Sequence, residues 1–291
     1  MPNFLIGTGR CGSTLVYGVL ARHSRVNFVS GLDDRCARIP ELVRRRNGTI
    51  YRLLSRGLVS RSGMIFAPSE AYSALSREVS PILADPFRDL TAQDVTPWLA
   101  QRLRKFFECR TAPGREDIIH KFTGWPRAAF LHGIFPEARF VNIVRDGRAV
   151  ANSLAQMPWW RGHLGAPGWR FGTLPTAYAE EWDNAGRCLV HLAGIGWKVM
   201  MDAYEVARAA VPPHLWLEMR YEDLLSDPRK HIDVILEFLG LAWTPEFERS
   251  LEHEKFSRAR AEAFRKDLTP RQVELLGRSL SAHLQKYGYA G

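Results

Sequence analysis

The sequence contains few of the features that identify a metal-binding, disulfide-bonded, membrane or secreted protein. Its four cysteines, at positions 11, 36, 109 and 188, are scattered and form no Cys-x-x-Cys pair, so they predict neither a metal knuckle nor a disulfide framework. No apolar run is long enough to cross a bilayer. No basic segment precedes the apolar N-terminal stretch, which is atypical of a signal peptide. We therefore expect a cytoplasmic protein without stable membrane insertion.

The charged residues are unbalanced towards the positive sign. Lys and Arg number 40 against 31 Asp and Glu, for a formal net charge of +9 among 291 residues. Such a balance favours an anionic partner, and a nucleotide, a nucleic acid, a sulfated ligand or a membrane surface would each fit. The basic residues form no dense stripe along the chain, so we do not expect a nucleic-acid binder.

Short apolar runs alternate with segments of helical periodicity. Strands are predicted at residues 3–6, 26–29, 117–121, 140–144 and 215–218. Helices are predicted at residues 13–22, 96–109, 126–135, 178–200, 229–239, 244–254 and 269–286, and another begins near Gly147. The alternation implies right-handed crossovers and an α/β fold with a parallel sheet of about four to five strands flanked by helices. No repeat or linker divides residues 1–291, so we expect a single domain with an insertion of loops and short helices at residues 35–115.

Residues 7–14, Gly-Thr-Gly-Arg-Cys-Gly-Ser-Thr, join the first predicted strand to a helix. Backbone N–H groups and the helix dipole favour an anion at such a position, and glycines allow it to approach closely. The segment nearly matches the nucleotide-kinase pattern G-x-x-x-x-G-K-[ST], but Ser13 stands where that pattern requires Lys. Arg10 can supply the missing positive charge. A tight turn without a ligand is the alternative interpretation.

A second candidate anion site follows the strand predicted at residues 140–144. Arg145 stands at the end of this strand, and Ser153 lies about two helical turns further on. A guanidinium group and a hydroxyl group together can hold a phosphate. The alternative is a helix start at which Asp146 pairs with Arg148 and no ligand is needed.

Together with Arg-Tyr-Glu-Asp-Leu at residues 220–224, these segments resemble sulfotransferases that use 3′-phosphoadenosine-5′-phosphosulfate (PAPS). Residues 7–14 are similar to the 5′-phosphosulfate loop of that family, and residues 140–153 are similar to its 3′-phosphate motif. The resemblance implies a P-loop-like three-layer fold and no required metal. It also implies in-line transfer of a sulfuryl group from PAPS to a hydroxyl or amine, with a general base, leaving PAP as product.

The resemblance also assigns individual residues. The 5′-phosphosulfate would be held by Arg10, Cys11, Gly12, Ser13 and Thr14, the 3′-phosphate by Arg145 and Ser153, and the adenine by Tyr221. Many cytosolic members carry Lys in place of Arg10, and the family's C-terminal Arg-Lys-Gly-x-x-Gly segment is absent here. The nearest basic cluster contains Arg258, Arg260, Arg265 and Lys266. Arg265 and Lys266 are its better candidates for closing over the 3′-phosphate, and a solvated basic face is the alternative.

The reaction needs a second cation and a base. Lys121, at a predicted strand end, is the expected cation. Residues 30–35, Ser-Gly-Leu-Asp-Asp-Arg, resemble the tyrosylprotein branch of the family, in which a carboxylate after the second strand is the base. We therefore expect Asp33 as the base, with His120 and then Asp34 as alternatives. Adjacent strand residues face opposite sides, so His120 and Lys121 should not both face the cleft. A turn and helix cap is the other interpretation of the two aspartates.

The sequence gives the least information about the acceptor substrate. Residues 157–175 form an aromatic loop rich in Trp, Gly and Pro, which we expect either to act as a lid or acceptor gate or to fold its rings onto the core. Its composition suits a small-molecule, lipid or glycan alcohol. A small-molecule P-loop kinase and a catalytically inactive PAP-binding protein are the alternative functions.

Overall fold

The computed structural model describes residues 1–55, 65–111, 117–169, 171–252 and 254–289. Five strands form one parallel sheet in the order β2-β3-β1-β4-β5. The strands are β1 (Pro2–Gly7), β2 (Val26–Asn27), β3 (Asp117–Thr123), β4 (Phe140–Val144) and β5 (Trp216–Arg220). The predicted α/β fold with a parallel sheet is therefore confirmed.

Helices flank the sheet and form most of the connections. The first are α1 (Ser13–Leu20), α2 (Gly31–Arg35), α3 (Glu41–Arg45), α4 (Asn47–Ser55), α5 (Tyr72–Glu78), α6 (Pro81–Ala84), α7 (Pro97–Glu108), α8 (Ala128–Ile134) and α9 (Gly147–Ala155). They are followed by α10 (Thr176–Asn184), α11 (Leu189–Ala209), α12 (Tyr221–Ser226), α13 (Pro228–Leu239), α14 (Pro245–Leu251), α15 (Phe264–Asp267), α16 (Pro270–Ser279) and α17 (Ser281–Lys286). Helices α7, α13, α14 and α16 each begin with a Thr or Asp cap followed by Pro, which satisfies a free N–H group and presets the backbone.

Two predicted helices are each divided in the structure. The prediction of one helix from residue 178 past residue 200 is wrong, because Gly186 and Arg187 adopt left-handed φ angles of 72° and 55° between α10 and α11. Consecutive residues in that conformation cannot belong to a right-handed helix. The segment predicted as a helix at residues 269–286 is likewise divided into α16 and α17.

The second strand is shorter than predicted because its continuation pairs with a different segment. The N–H of Ser69 donates to the carbonyl of Val29, and the N–H of Gly31 donates to the carbonyl of Ala67, both at 2.9 Å. Ser30 and Pro68 form an isolated antiparallel bridge. The predicted insertion thus returns to the sheet and brings residues 67–70 next to the end of β2.

The two faces of the sheet are packed against separate apolar clusters. Phe4, Phe122 and Phe140 belong to one cluster together with side chains of α7 and α8. Leu5 and Val141 belong to the other, with side chains of α1 and α13. Side chains alternate between the faces of a strand, so the parallel register determines which face each residue of β3 takes.

The register places His120 and Lys121 on opposite faces, as the alternation predicted. His120 is paired with Phe4, and Lys121 is paired with Leu5. The His120 ring is fully buried, 4.7 Å from the Phe122 ring between centroids, and neither of its nitrogens forms a hydrogen bond. Burial and the neighbouring positive charges lower the pKa of His120 to about 3. His120 is thus a neutral core residue, which argues against the role of general base.

The described residues were searched for membrane-spanning helices, metal-binding groups and disulfides. No helix among them combines the length and the apolar content needed to cross a bilayer. They contain no group of three or more His, Cys, Asp or Glu side chains arranged to hold a metal ion. All four cysteines carry free thiols, and Cys11 is buried.

We predict that His120→Leu weakens the pH dependence of stability. The unfolded chain binds a proton at His120 below about pH 6.5 and the folded chain does not, so stability is lost as the pH falls from about 6.5 towards 3, by up to about 1.4 kcal/mol per pH unit. Urea unfolding between about pH 7 and pH 5 should show a shallower slope for the variant. Exposed His214→Leu is the control, and an unchanged slope in His120→Leu would contradict the assignment.

Candidate functional site

A cleft of about 680 Å³ opens at the edge of the sheet where the strands end. Parallel strands place their carboxyl ends at one edge, so the segments that follow β1, β3, β4 and β5 meet there. The residues that line the cleft and enter the argument below are Gly9, Arg10, Gly12, Ser13, Thr14, Glu70, Asp85, Arg145, Trp159, Tyr221 and Arg260.

The loop after β1 has the backbone conformation of an anion-binding turn. Gly9, Arg10 and Gly12 all have positive φ angles, of 81°, 56° and 95°. A Cβ atom on Gly12 would lie 2.2 Å from Cδ2 of Tyr221, so only glycine fits beneath that ring. Cys11 is buried in the core, so its backbone rather than its side chain is available to an anion. The N-terminus of α1 adds its dipole.

The two predicted anion-binding segments meet in this cleft. The Nε atom of Arg10 donates to Oγ of Ser153 at 2.9 Å, and Nη1 of Arg145 donates to the carbonyl of Arg10 at 2.8 Å. The Arg145 guanidinium lies 5.2 Å from the centre of the Tyr221 ring. Its Nε atom is buried without a hydrogen-bond partner. The geometry therefore includes a buried donor that an anion could satisfy.

The C-terminal basic cluster reaches this cleft through Arg260. Nη2 of Arg145 donates to the carbonyl of Arg260 at 2.5 Å, and Arg260 lines the cleft. Burial and the charges of Arg145 and Arg260 lower the pKa of Arg10. The exposed side chains of Arg265 and Lys266 instead line an adjoining pocket of about 660 Å³. The turn at residues 258–260 thus brings Arg260, rather than the expected Arg265 or Lys266, to the cleft.

Lys121 contacts two residues that line the cleft, Thr14 and Glu70, and the sequence did not predict this acidic partner. Its Nζ atom donates to Oγ1 of Thr14 at 2.9 Å and pairs with Oε1 of Glu70 at 2.9 Å. Thr123 also donates to Glu70, at 3.1 Å. The Glu70 side chain is 27% exposed and lines the cleft, so a substrate can reach it.

Glu70 lies in the region that gave an irregular sequence signal. Pro68 indicates an extended segment, but this signal is too weak to select one acid among those of residues 35–115. Its position depends on the pairing of residues 67–69 with residues 29–31, a long-range contact.

Asp33 and Asp34 have structural partners. The fully buried Asp33 carboxylate accepts two hydrogen bonds from Arg110, at 2.6 and 2.9 Å, and lies 3.3 Å from Arg44. Asp34 accepts the N–H of Ala74 at 2.9 Å. The Asp33 carboxylate is already paired and is not part of the cleft lining, which argues against the expected role of general base. Ser30 rather than Asp33 caps α2.

The aromatic loop contains both buried and exposed tryptophan rings. Trp160 and Trp169 are buried, so part of the loop folds onto the core. Trp159 is 48% exposed and lines both the cleft and an adjoining groove of about 1230 Å³. The loop is therefore anchored by two rings and presents the third to solvent. Arg170 lies outside the described residues.

Comparisons with known proteins concern the family and the fold of the chain. A family model described as "Sulfotransferase family" matches residues 2–245. Sulfotransferase STF9 from Mycobacterium avium is 14% identical, with a TM-score of 0.60, 99% of this chain covered and 77% of that chain. The sulfotransferase domain of the Synechococcus PCC 7002 olefin synthase is 19% identical, with a TM-score of 0.51, 100% of this chain covered and 96% of that domain. At these identities the structural likeness concerns the fold.

We predict that Asp33→Asn destabilises the fold. The substitution removes a buried carboxylate that faces both Arg110 and Arg44 and leaves Arg110 paired with Glu78 alone, at a cost of about 3 kcal/mol in the free energy of unfolding. Urea unfolding measures this loss. Asp183→Asn, which removes an exposed pair with Arg187, should change the same quantity by about 0.5 kcal/mol or less. Equal effects of the two substitutions would contradict the structural role of Asp33.

Proposed function

The chain belongs to the sulfotransferase family, and we propose that it transfers the sulfuryl group of PAPS to a hydroxyl or amine of an acceptor. The observation that carries the proposal is the convergence of Arg10, Arg145 and Arg260 on one cleft beside the loop after β1. Three cations held together in this way require an anion of high charge, which a nucleotide with two phosphate-containing groups supplies.

The residues of the cleft fit PAPS. Residues 10–14 would hold the 5′-phosphosulfate, with the backbone of the loop and the α1 dipole directed at it. Arg145, Ser153 and Arg260 would hold the 3′-phosphate, and the buried Nε donor of Arg145 is the atom that most needs such a partner. Tyr221, packed on Gly12, would contact the adenine. Ser13 in the position of the kinase Lys disfavours a nucleoside triphosphate.

Glu70 is the proposed general base in place of Asp33. The acceptor O–H gives its proton to the Glu70 carboxylate as the acceptor oxygen forms a bond to sulfur. The bond between sulfur and the bridging oxygen breaks, and its electron pair stays on the 5′-phosphate of PAP. Lys121 is held beside Glu70 and Thr14, so it can stabilise the negative charge that develops on the transferring group. Positioning of the reactants and stabilisation of charge would together promote the in-line displacement.

We predict that Glu70→Gln lowers kcat for sulfuryl transfer about 100- to 10,000-fold, because the amide cannot accept the proton. PAP affinity should stay within about twofold, since the substitution removes no donor to the nucleotide. Mass spectrometry of sulfated products from an acceptor library, with calorimetry for PAP, measures both.

Exposed Glu274→Gln is the matched control for Glu70→Gln. If Glu70→Gln retained wild-type turnover, the base assignment would be wrong. If the wild-type chain bound PAP and sulfated no acceptor, the inactive PAP-binding alternative would be favoured.

We predict that Arg145→Ala and Arg260→Ala each weaken PAP binding. Loss of a charge-assisted hydrogen bond costs about 1.5–3 kcal/mol, or roughly 10- to 100-fold in Kd. Arg265→Ala and Lys266→Ala should have smaller effects, because these side chains line the adjoining pocket. Calorimetric titration with PAP, and with ATP plus Mg²⁺ to test the kinase alternative, gives the comparison. An Arg265→Ala effect larger than that of Arg260→Ala would restore the original assignment.

A further inference from the structure

A groove of about 1230 Å³ continues the cleft on the side of the aromatic loop. Asp85, Pro86 and Trp159 line both cavities, so the two form one depression. Pockets for drug-sized ligands occupy about 300–1,000 Å³. The groove alone exceeds that range, which indicates an extended occupant rather than a compact one.

The wall of the groove is apolar where it meets solvent. Phe87 is 72% exposed, Leu164 is 61% exposed and Trp159 is 48% exposed. Single exposed apolar side chains are ordinary on protein surfaces. Three of them on one groove that opens into a reaction cleft are typical of a ligand-binding surface. Their ligand would be an apolar chain or ring system.

Acidic and basic side chains line different parts of the groove. Asp85 is shared with the cleft and therefore stands at the junction of the two cavities. Arg161 and His163 line the groove but not the cleft, so they stand further from Glu70. Among the described residues, none pairs with the exposed Arg161 guanidinium. A ligand that extends from the cleft into the groove thus meets positive charge outside the cleft.

We propose that this groove binds the body of an elongated amphipathic alcohol, which deepens the proposed function and rests on it. The hydroxyl group of the acceptor lies in the cleft at Glu70, and its apolar chain packs on Phe87, Trp159 and Leu164. An anionic group on the part of the ligand that lies outside the cleft pairs with Arg161. Compact alcohols fill only the cleft and bind more weakly, and a cationic group on that outer part is disfavoured by Arg161.

Binding measured without turnover tests this inference. The protein saturated with PAP is titrated by calorimetry with ω-hydroxydecanoate, decanol, ω-hydroxydecyltrimethylammonium and the short glycolate. We expect ω-hydroxydecanoate to bind most tightly and the trimethylammonium compound to bind less tightly than decanol. We expect glycolate to bind at least roughly tenfold more weakly than ω-hydroxydecanoate, because it lacks the apolar chain.

Exposed positions allow matched variants that leave the core intact. Phe87→Ser and Leu164→Ser should weaken all three long ligands, whereas Leu42→Ser, at the same 61% exposure as Leu164, should weaken none. Arg161→Gln should weaken only ω-hydroxydecanoate and bring its Kd to that of decanol. The remote Arg271→Gln is the charge control.

The outcomes test the groove assignment separately from the proposed reaction. Equal binding of the carboxylate and trimethylammonium ligands, or equal effects of Leu164→Ser and Leu42→Ser, would overturn the inference. PAP affinity, measured before the long ligands are added, tests the proposed function by itself. If PAP fails to bind but the free protein shows the ligand order and variant effects given above, the proposed function fails and the groove assignment stands.

Discussion

The guanidinium group of Arg145 joins parts of the chain that are remote in sequence. It donates to the carbonyls of Arg10 and Arg260 and lies against the ring of Tyr221. These contacts hold three like charges close together, and the resulting repulsion contributes to the lowered pKa of Arg10. An anion that enters the cleft relieves this repulsion, so binding of the anion and order in the C-terminal segment are coupled. The proposed binding of the phosphate groups rests on this one arrangement.

Two ion pairs near the same end of the sheet have different consequences because their burial differs. The Asp33–Arg110 pair is fully removed from solvent, where Arg44 also approaches Asp33 and Glu78 also pairs with Arg110. The Glu70–Lys121 pair borders the cleft, with the glutamate partly exposed. A proton acceptor must touch its substrate, so only the second pair can serve the reaction. The first pair instead holds the start of α2 close to the end of α7, near the segment from which Glu70 comes.

Two rings anchor the aromatic loop to the core, and a third ring is partly exposed. Trp160 and Trp169 are buried in apolar clusters, which fixes the loop next to α11. With the loop held in this way, Trp159 can stay partly exposed on a wall that has a defined shape. A preformed wall binds an apolar ligand at a lower entropic cost than a loop that must first become ordered. The donor site and the proposed acceptor groove are thus built from different segments and meet at Trp159.

The sequence by itself determined where the proposed donor site lies. The loop at residues 7–14, Arg145 and Tyr221 each follow a strand directly, and parallel strands bring such positions to one edge whatever else the chain does. Only the tertiary structure decided which carboxylate faces the cleft and which basic residue of the C-terminal cluster reaches it. Glu70 is placed by antiparallel pairing across about forty residues, Arg260 by a turn, and Asp33 is removed by burial with Arg110. Local periodicity cannot predict such long-range pairing and burial, because both depend on which distant segment packs against the residue.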